Sequence, residues 1–128
     1  MPNILLVEDN KENKDVMVHF LRKVGKVSTA SDGPSAVDIC ENNKFDLILM
    51  DINLGLGMNG IEATKRIRQL PGYESVPIVA VTAYAMAGDR ETFMNIGCTH
   101  YISKPFTKKE FLGLVEEIIS STGDSASS

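Results

Sequence analysis

Apolar residues in this chain form two kinds of pattern, which are short unbroken runs and longer stretches with helical spacing. The unbroken runs cover residues 4–7, 47–50 and 77–81. Runs of this length between turn residues are typical of strands buried on both faces of a parallel sheet. Weaker strand signals occur at residues 27–30 and 100–102, so the sequence predicts five strands.

Stretches with helical spacing follow each of these strands. The first covers residues 11–24, with an apolar stripe that predicts one buried face, and Gly25 is expected to end it. The fourth covers residues 86–96 and is expected to end at Gly97, because glycine commonly follows a helix C-terminus. The second helix begins near Pro34, the third covers residues 61–70, and a Thr107–Glu110 capping box starts the fifth.

Strands that alternate with helices predict an α/β fold, in which a doubly wound parallel sheet carries helices on both faces. The length of 128 residues fits one domain. We expect that domain to cover residues 1–121. Residues 122–128 are rich in serine and are expected to form a disordered tail.

Composition excludes several classes of function. The net charge of −4 and the lack of a basic stripe argue against nucleic acid as a partner. No apolar run is long enough to span a membrane and no signal peptide is present, so we expect a cytoplasmic protein. Cys40 and Cys98 lack metal-binding spacing and are expected to be buried free thiols.

Polar residues stand where four of the predicted strands end, namely Glu8, Asp9, Asp51, Thr82 and Lys104. The carboxyl ends of parallel strands meet at one edge of the sheet, so these side chains should share one crevice. Three carboxylates suit Mg²⁺, and a lysine beside them suits a phosphate. The set therefore indicates phosphoryl chemistry with Asp51 as a carboxylate nucleophile.

The order of these motifs resembles two-component response-regulator receiver domains with the chemotaxis-regulator fold. Four motifs carry the resemblance over residues 3 to about 120, and they are Ile-Leu-Leu-Val-Glu8-Asp9-Asn10, Leu-Ile-Leu-Met-Asp51, Val-Thr82-Ala83 and Lys104-Pro105-Phe. The resemblance implies a flavodoxin-like sheet with strand order 2-1-3-4-5. It also implies that Asp51 accepts a phosphoryl group from a phosphohistidine.

The resemblance further implies a magnesium site. Asp9 and Asp51 would bind Mg²⁺, Glu8 would help through a metal-bound water, and Asn53 would offer its backbone carbonyl. Thr82 would bond a phosphoryl oxygen, and Lys104 would pair with the phosphate.

A conformational switch is also implied by the resemblance. Tyr101 would be the switch aromatic, turning inward as Thr82 moves toward the phosphate. The Lys104–Pro105 bond would be cis.

The partners implied are a histidine kinase or a histidine phosphotransfer protein, and a downstream protein that contacts the face formed by residues 86–119. Because no output domain follows the last helix, we expect a stand-alone regulator that is a monomer, with a phosphorylation-linked dimer left open. The domain would promote only its own phosphorylation and dephosphorylation, without acting as an enzyme on other substrates.

The loop after Asp51 departs from the family pattern, because Gly55 replaces the usual proline and one residue is added before Asn59. Added glycine raises loop entropy, so we hypothesise a mobile loop over residues 54–58.

Two alternative functions remain open. An aspartate-nucleophile phosphatase of the haloacid dehalogenase type would need a general acid where Asn53 stands. A flavodoxin-like flavin carrier would need a phosphate loop richer in serine, threonine and glycine than the acidic segment after the first strand.

Overall fold

A computed structural model of the protein describes residues 1–52, 59–83 and 89–127. Within these ranges, strands and helices alternate as the sequence predicts. In chain order they are β1 (Asn3–Val7), α1 (Lys11–Leu21), β2 (Lys26–Ala30), α2 (Gly33–Asn42), β3 (Leu47–Asp51), α3 (Gly60–Arg68), β4 (Ile78–Thr82), α4 (Asp89–Ile96), β5 (His100–Ser103) and α5 (Lys108–Ser127). The predicted α/β class is confirmed.

The five strands form one parallel sheet in the order β2-β1-β3-β4-β5, which confirms the predicted order. β1 and β3 are neighbours at the centre, and the chain leaves them toward opposite edges of the sheet. In sheets of this kind, a crevice opens at the carboxyl ends of the two strands where the order reverses. In this sheet the two strands are β1 and β3, so the crevice is expected beyond Val7 and Asp51.

Alternate residues of the central strands point to opposite faces of the sheet, and each face has its own apolar core. The core that includes α2 and α3 contains Leu5, Val7, Ile48, Met50, Ile78 and Ala80. The core that includes α1 and α5 contains Ile4, Leu6, Leu47, Leu49, Val79 and Val81. The unbroken apolar runs thus arise because both faces of the central strands are covered.

Two of the predicted helix boundaries are confirmed, one by a backbone angle and the other by hydrogen bonds. Gly97 has a positive φ of 118° and follows α4 directly, as expected of a glycine past a helix end. Thr107 and Glu110 form a reciprocal capping box, in which each backbone N–H donates to the other's side chain at 3.0 Å.

The prediction that Gly25 ends the first helix as its C-cap is wrong. α1 ends at Leu21 with Arg22 as its C-cap, and Gly25 does not have a positive φ. A Cβ atom at Gly25 would lie 2.7 Å from the Pro2 carbonyl oxygen and 2.8 Å from Ile4 Cδ1. Glycine is therefore needed there for close approach to the start of β1.

The last helix, α5, extends to Ser127. The domain boundary at residue 121 and the disordered tail over residues 122–128 stay predictions. Cys40 and Cys98 are buried and free, as predicted. In the described part of the chain, no helix has both the length and the hydropathy to cross a bilayer.

Candidate functional site

The structure brings five of the predicted site residues to the carboxyl edge of the sheet. Glu8 and Asp9 follow β1, Asp51 ends β3, Thr82 ends β4, and Lys104 follows β5. The side chains differ in burial, since Glu8, Asp51 and Thr82 are at most 3% exposed while Asp9 is open to solvent. The edge therefore holds two buried carboxylates beside an accessible one.

The Lys104 ammonium group lies between the two buried carboxylates. Its Nζ is 3.1 Å from Glu8 Oε2 and 3.5 Å from Asp51 Oδ2. About a fifth of the lysine side chain is exposed, at 21%. Burying a carboxylate is unfavourable unless an opposite charge or hydrogen bonds compensate, and Lys104 supplies that charge for both acids.

Backbone pairing holds Lys104 in this position. Its N–H donates to the carbonyl oxygen of Thr82 at 2.7 Å, which ties the end of β4 to the segment after β5. The next peptide bond, Lys104–Pro105, is cis, as the resemblance implies. The Lys104 side chain therefore reaches Asp51 from the segment after β5, next to the end of β4 where Thr82 lies.

The three carboxylates are close enough to share one cation. Oxygen atoms of Glu8, Asp9 and Asp51 all lie within 4.8 Å of one another. They border an open crevice of about 380 Å³, which Lys104 and Ala83 also line. Three negative charges against one ammonium leave the crevice negative, and an all-oxygen donor set suits a hard cation such as Mg²⁺. The residues present therefore fit the metal that the sequence predicted.

Two residues of the site were missed by sequence reasoning. Asn13, in the first turn of α1, lines the crevice and donates from Nδ2 to Glu8 Oε1 at 3.4 Å. A Cβ atom on Gly60 would collide with the Asp51 carbonyl oxygen, so α3 starts directly beneath the end of β3. The available signals were the position of Asn13 one turn after the acidic pair and the glycine that begins the third helix.

Tyr101 lies outside the crevice, on β5 at the edge of the sheet. Its side chain is 37% exposed. It borders a small hollow of about 160 Å³ together with Met94 and Leu114, which belong to α4 and α5. Asn53 and the glycine-containing loop at 54–58 lie outside the described residues, so their predicted roles stay predictions.

Comparison with known proteins agrees with this architecture. Residues 4–116 match the response regulator receiver domain family. The polar-differentiation response regulator DivK of Brucella anthropi is 36% identical over 123 residues, which cover 95% of this chain and 97% of DivK. The signal transduction histidine-protein kinase BarA of Escherichia coli is 36% identical over 113 residues, which cover 88% of this chain.

The kinases among these relatives are much longer than this chain. The match covers 12% of BarA and, at 39% identity, 6% of the hybrid signal transduction histidine kinase I of Dictyostelium discoideum. In both proteins the similarity therefore concerns one segment of a larger polypeptide.

Two solved structures are also similar to this chain. The receiver domain of sensor histidine kinase PA1611 from Pseudomonas aeruginosa, which has a magnesium ion in its active site cleft, superposes with a TM-score of 0.84 at 39% identity, covering 93% of this chain and 98% of that domain. The chemotaxis protein CheY4 of Vibrio cholerae gives a TM-score of 0.86 at 28% identity, covering 92% and 98%.

These matches favour neither the phosphatase nor the flavin carrier. The fold, the acidic crevice and the match over residues 4–116 agree. The chain belongs to the response regulator receiver domain family of two-component phosphorelay signalling.

Proposed function

We propose that Asp51 accepts a phosphoryl group from a phosphohistidine and that the crevice around it is the reaction site. The observation that carries this proposal is the position of the Lys104 ammonium, 3.1 Å from Glu8 and 3.5 Å from Asp51 in a crevice open to solvent. Because the ammonium is already beside Asp51, it can neutralise an incoming phosphoryl group without a large movement of the lysine.

The metal-binding residues would be Glu8, Asp9 and Asp51, with the backbone carbonyl of Asn53 completing the set. The carboxylate oxygens of Glu8, Asp9 and Asp51 lie close together, and their negative charge favours a divalent cation. When bound, Mg²⁺ supplies positive charge that offsets the repulsion between the carboxylates and an incoming phosphoryl group. The magnesium ion in the cleft of the PA1611 receiver domain supports this assignment.

The transfer itself needs one bond made and one broken. A carboxylate oxygen of Asp51 forms a bond to phosphorus while the phosphorus–nitrogen bond of the phosphohistidine breaks. The electron pair of that bond stays on the ring nitrogen, and the imidazole leaves neutral when its other nitrogen carries a proton. Asp51 needs no general base, because the carboxylate is already ionised when it attacks.

Lys104 and Thr82 would stabilise the product. In the structure Lys104 is shared between Glu8 and Asp51, so a phosphoryl group on Asp51 would draw the ammonium away from Glu8. The hydroxyl of Thr82, at the end of the neighbouring strand, would donate to a phosphoryl oxygen. Both groups are donors, which suits an acceptor-only dianion.

Phosphorylation would change the conformation of the two strands at the β5 edge of the sheet. Thr82 and Tyr101 lie on the paired strands β4 and β5. A shift of Thr82 toward the phosphoryl group would favour an inward position of the tyrosine ring, near the hollow that Met94 and Leu114 border. The face of α4, β5 and α5 would then differ between the two states, and a downstream protein would bind one of them better.

The phosphodonor would be a histidine kinase or a histidine phosphotransfer protein. Receiver segments within BarA and the Dictyostelium kinase support this class of partner. The domain would promote its own phosphorylation and dephosphorylation without acting on other substrates.

Intact mass spectrometry after incubation with acetyl phosphate tests the proposal. We expect a magnesium-dependent gain of one phosphoryl group in the wild type and none in Asp51→Asn. Beryllofluoride binding, followed through the NMR signals of the crevice residues, covers the case of rapid hydrolysis. If the wild type gains no phosphoryl group and binds no beryllofluoride, the proposal is wrong.

A further inference from the structure

A basic groove separates α1 from α5 on the side of the sheet that carries those two helices. Its volume is about 600 Å³. Arg22, Lys23 and Lys108 line it, and His19 stands beside them. All four residues are exposed. The groove is distinct from the acidic crevice, since the two share no lining residue.

Among the side chains that the structure describes, none forms an ion pair with the three permanent cations of this groove. The ion pairs among those side chains involve Arg66 and Lys104, and neither of these residues lines the groove. Of the described residues that line the groove, Glu116 alone carries a carboxylate, and it forms no ion pair with these cations. A local excess of positive charge therefore stands on a chain whose net charge is −4. Such a patch attracts negatively charged groups.

The groove also has an apolar floor. Phe20, Val24 and Leu112 line it and are only partly buried. The Lys108 ammonium lies 6.0 Å from the centre of the Phe20 ring, so the cation stands directly above this floor. An occupant that combines acidic groups with an apolar side chain would satisfy both parts of the surface.

We propose that the groove binds an acidic peptide segment of a partner protein, with its carboxylates on Arg22, Lys23 and Lys108 and an apolar side chain on the floor. Charge complementarity selects acidic side chains. The apolar floor and the single carboxylate of Glu116 favour a peptide over a nucleic acid, because a polyanion would meet Glu116 and leave the floor unused. This inference does not depend on the phosphorylation of Asp51.

Lys108 offers a sharp test, because Lys109 is a matched control. Both are exposed lysines in the first turn of α5, but only Lys108 lines the groove. A glutamate is favoured in the first turn of a helix, so neither Lys108→Glu nor Lys109→Glu should impair folding. Circular dichroism and the thermal midpoint would check this for both variants.

The experiment selects peptides from a phage-displayed random library on the immobilised full chain and measures their binding by fluorescence anisotropy. We expect the selected peptides to be rich in Asp and Glu together with Leu, Phe or Met. Lys108→Glu should weaken their binding about tenfold or more, Lys109→Glu by less than about twofold, and Glu116→Gln should strengthen it. Added salt should weaken binding.

Several outcomes would overturn the proposal. These are a selection that yields no binding peptide, peptides without acidic residues, or equal effects of Lys108→Glu and Lys109→Glu. Single-stranded RNA or phosphatidylserine vesicles are tested in parallel. If either binds with dependence on Lys108 while acidic peptides do not, the groove recognises another class of partner and the proposal is wrong.

Discussion

The ammonium of Lys104 lies 3.1 Å from the carboxylate of Glu8, although 96 residues separate them in the sequence. The same ammonium reaches Asp51 at 3.5 Å. One cation thus balances two carboxylates that are almost completely buried. Any cation or anion that enters the crevice must change this arrangement.

Replacing Lys104 by methionine should affect metal and phosphoryl binding in opposite directions. Loss of the ammonium leaves three carboxylates without a counterion, so Mg²⁺ should bind about tenfold more tightly by isothermal titration calorimetry. Phosphorylation by acetyl phosphate should slow by at least about tenfold, because the dianion loses its charged partner. Lys104→Arg keeps the charge and is the control. Weaker Mg²⁺ binding by Lys104→Met than by the wild type would show that the ammonium does not offset the charge of the carboxylates.

Asp9→Asn should weaken metal binding but stabilise the metal-free fold. Asp9 lies close to two other carboxylates, and removing its charge relieves repulsion by up to about 1 kcal/mol at this exposed position. The same change removes a ligand, so Mg²⁺ affinity should fall by about tenfold or more. Urea unfolding with and without Mg²⁺ measures both effects. A metal-free variant less stable than wild type would show that the carboxylates do not repel one another as described.

Gly60→Ala should disturb the site through the backbone. A Cβ atom there would collide with the Asp51 carbonyl oxygen and lie 2.7 Å from Ile52 Cα. Backbone atoms cannot move aside as a flexible side chain can, so the free energy of unfolding should fall by about 1–3 kcal/mol. Gly113→Ala is the control, because no atom lies within 4 Å of the added carbon. In the middle of α5, that change should stabilise the protein by about 0.5–1 kcal/mol.

The two alanine variants should also differ in their effect on Asp51. Phosphorylation by acetyl phosphate should slow in Gly60→Ala and stay at the wild-type rate in Gly113→Ala. Equal stability and equal rates in the two variants would show that α3 does not press on the end of β3.

Gly25 and Gly97 show how far the sequence alone can predict this fold. Each glycine follows a helical stripe, and the same rule predicted that both end a helix. Of the two, Gly97 alone directly follows its helix and has a positive φ. Gly25 is constrained by Pro2 and Ile4, which approach it from the other end of the β1–α1 unit. A local pattern cannot reveal a contact of this kind.

The site was more predictable than the helix ends for a physical reason. Apolar runs mark the ends of buried strands, and parallel strands place those ends together, so Glu8, Asp51 and Lys104 could be assigned to one crevice. The bond from Asn13 to Glu8 depends on how α1 rotates against the sheet. That rotation is set by packing across the core, which the spacing of residues does not specify.

The buried thiols should make stability fall at alkaline pH. Burial raises the pKa of Cys40 and of Cys98 from 9.0 to about 11. Between these values the unfolded chain loses thiol protons that the folded chain keeps, so the free energy of unfolding decreases as pH rises from 9 toward 11. Each thiol accounts for up to about 2–3 kcal/mol of this decrease.

Denaturant unfolding of wild type and Cys98→Ala, compared at neutral and alkaline pH, measures this contribution. The variant should be less stable at neutral pH, because a buried side chain is shortened, yet it should lose less stability on going to alkaline pH. If the free energy of unfolding falls equally with pH in the two proteins, burial does not shift the titration of Cys98.

We expect Asp51, rather than Glu8 or Asp9, to carry the phosphoryl group. Borohydride reduces an aspartyl phosphate to homoserine, which marks the acceptor permanently. After incubation with acetyl phosphate and Mg²⁺, reduction and proteolysis, mass spectrometry should find homoserine at position 51 and nowhere else. Three results, each with position 51 unmodified, would show that another residue is the acceptor. They are homoserine at position 9, the reduced product of a glutamyl phosphate at position 8, and a phosphoryl group on His19 or His100.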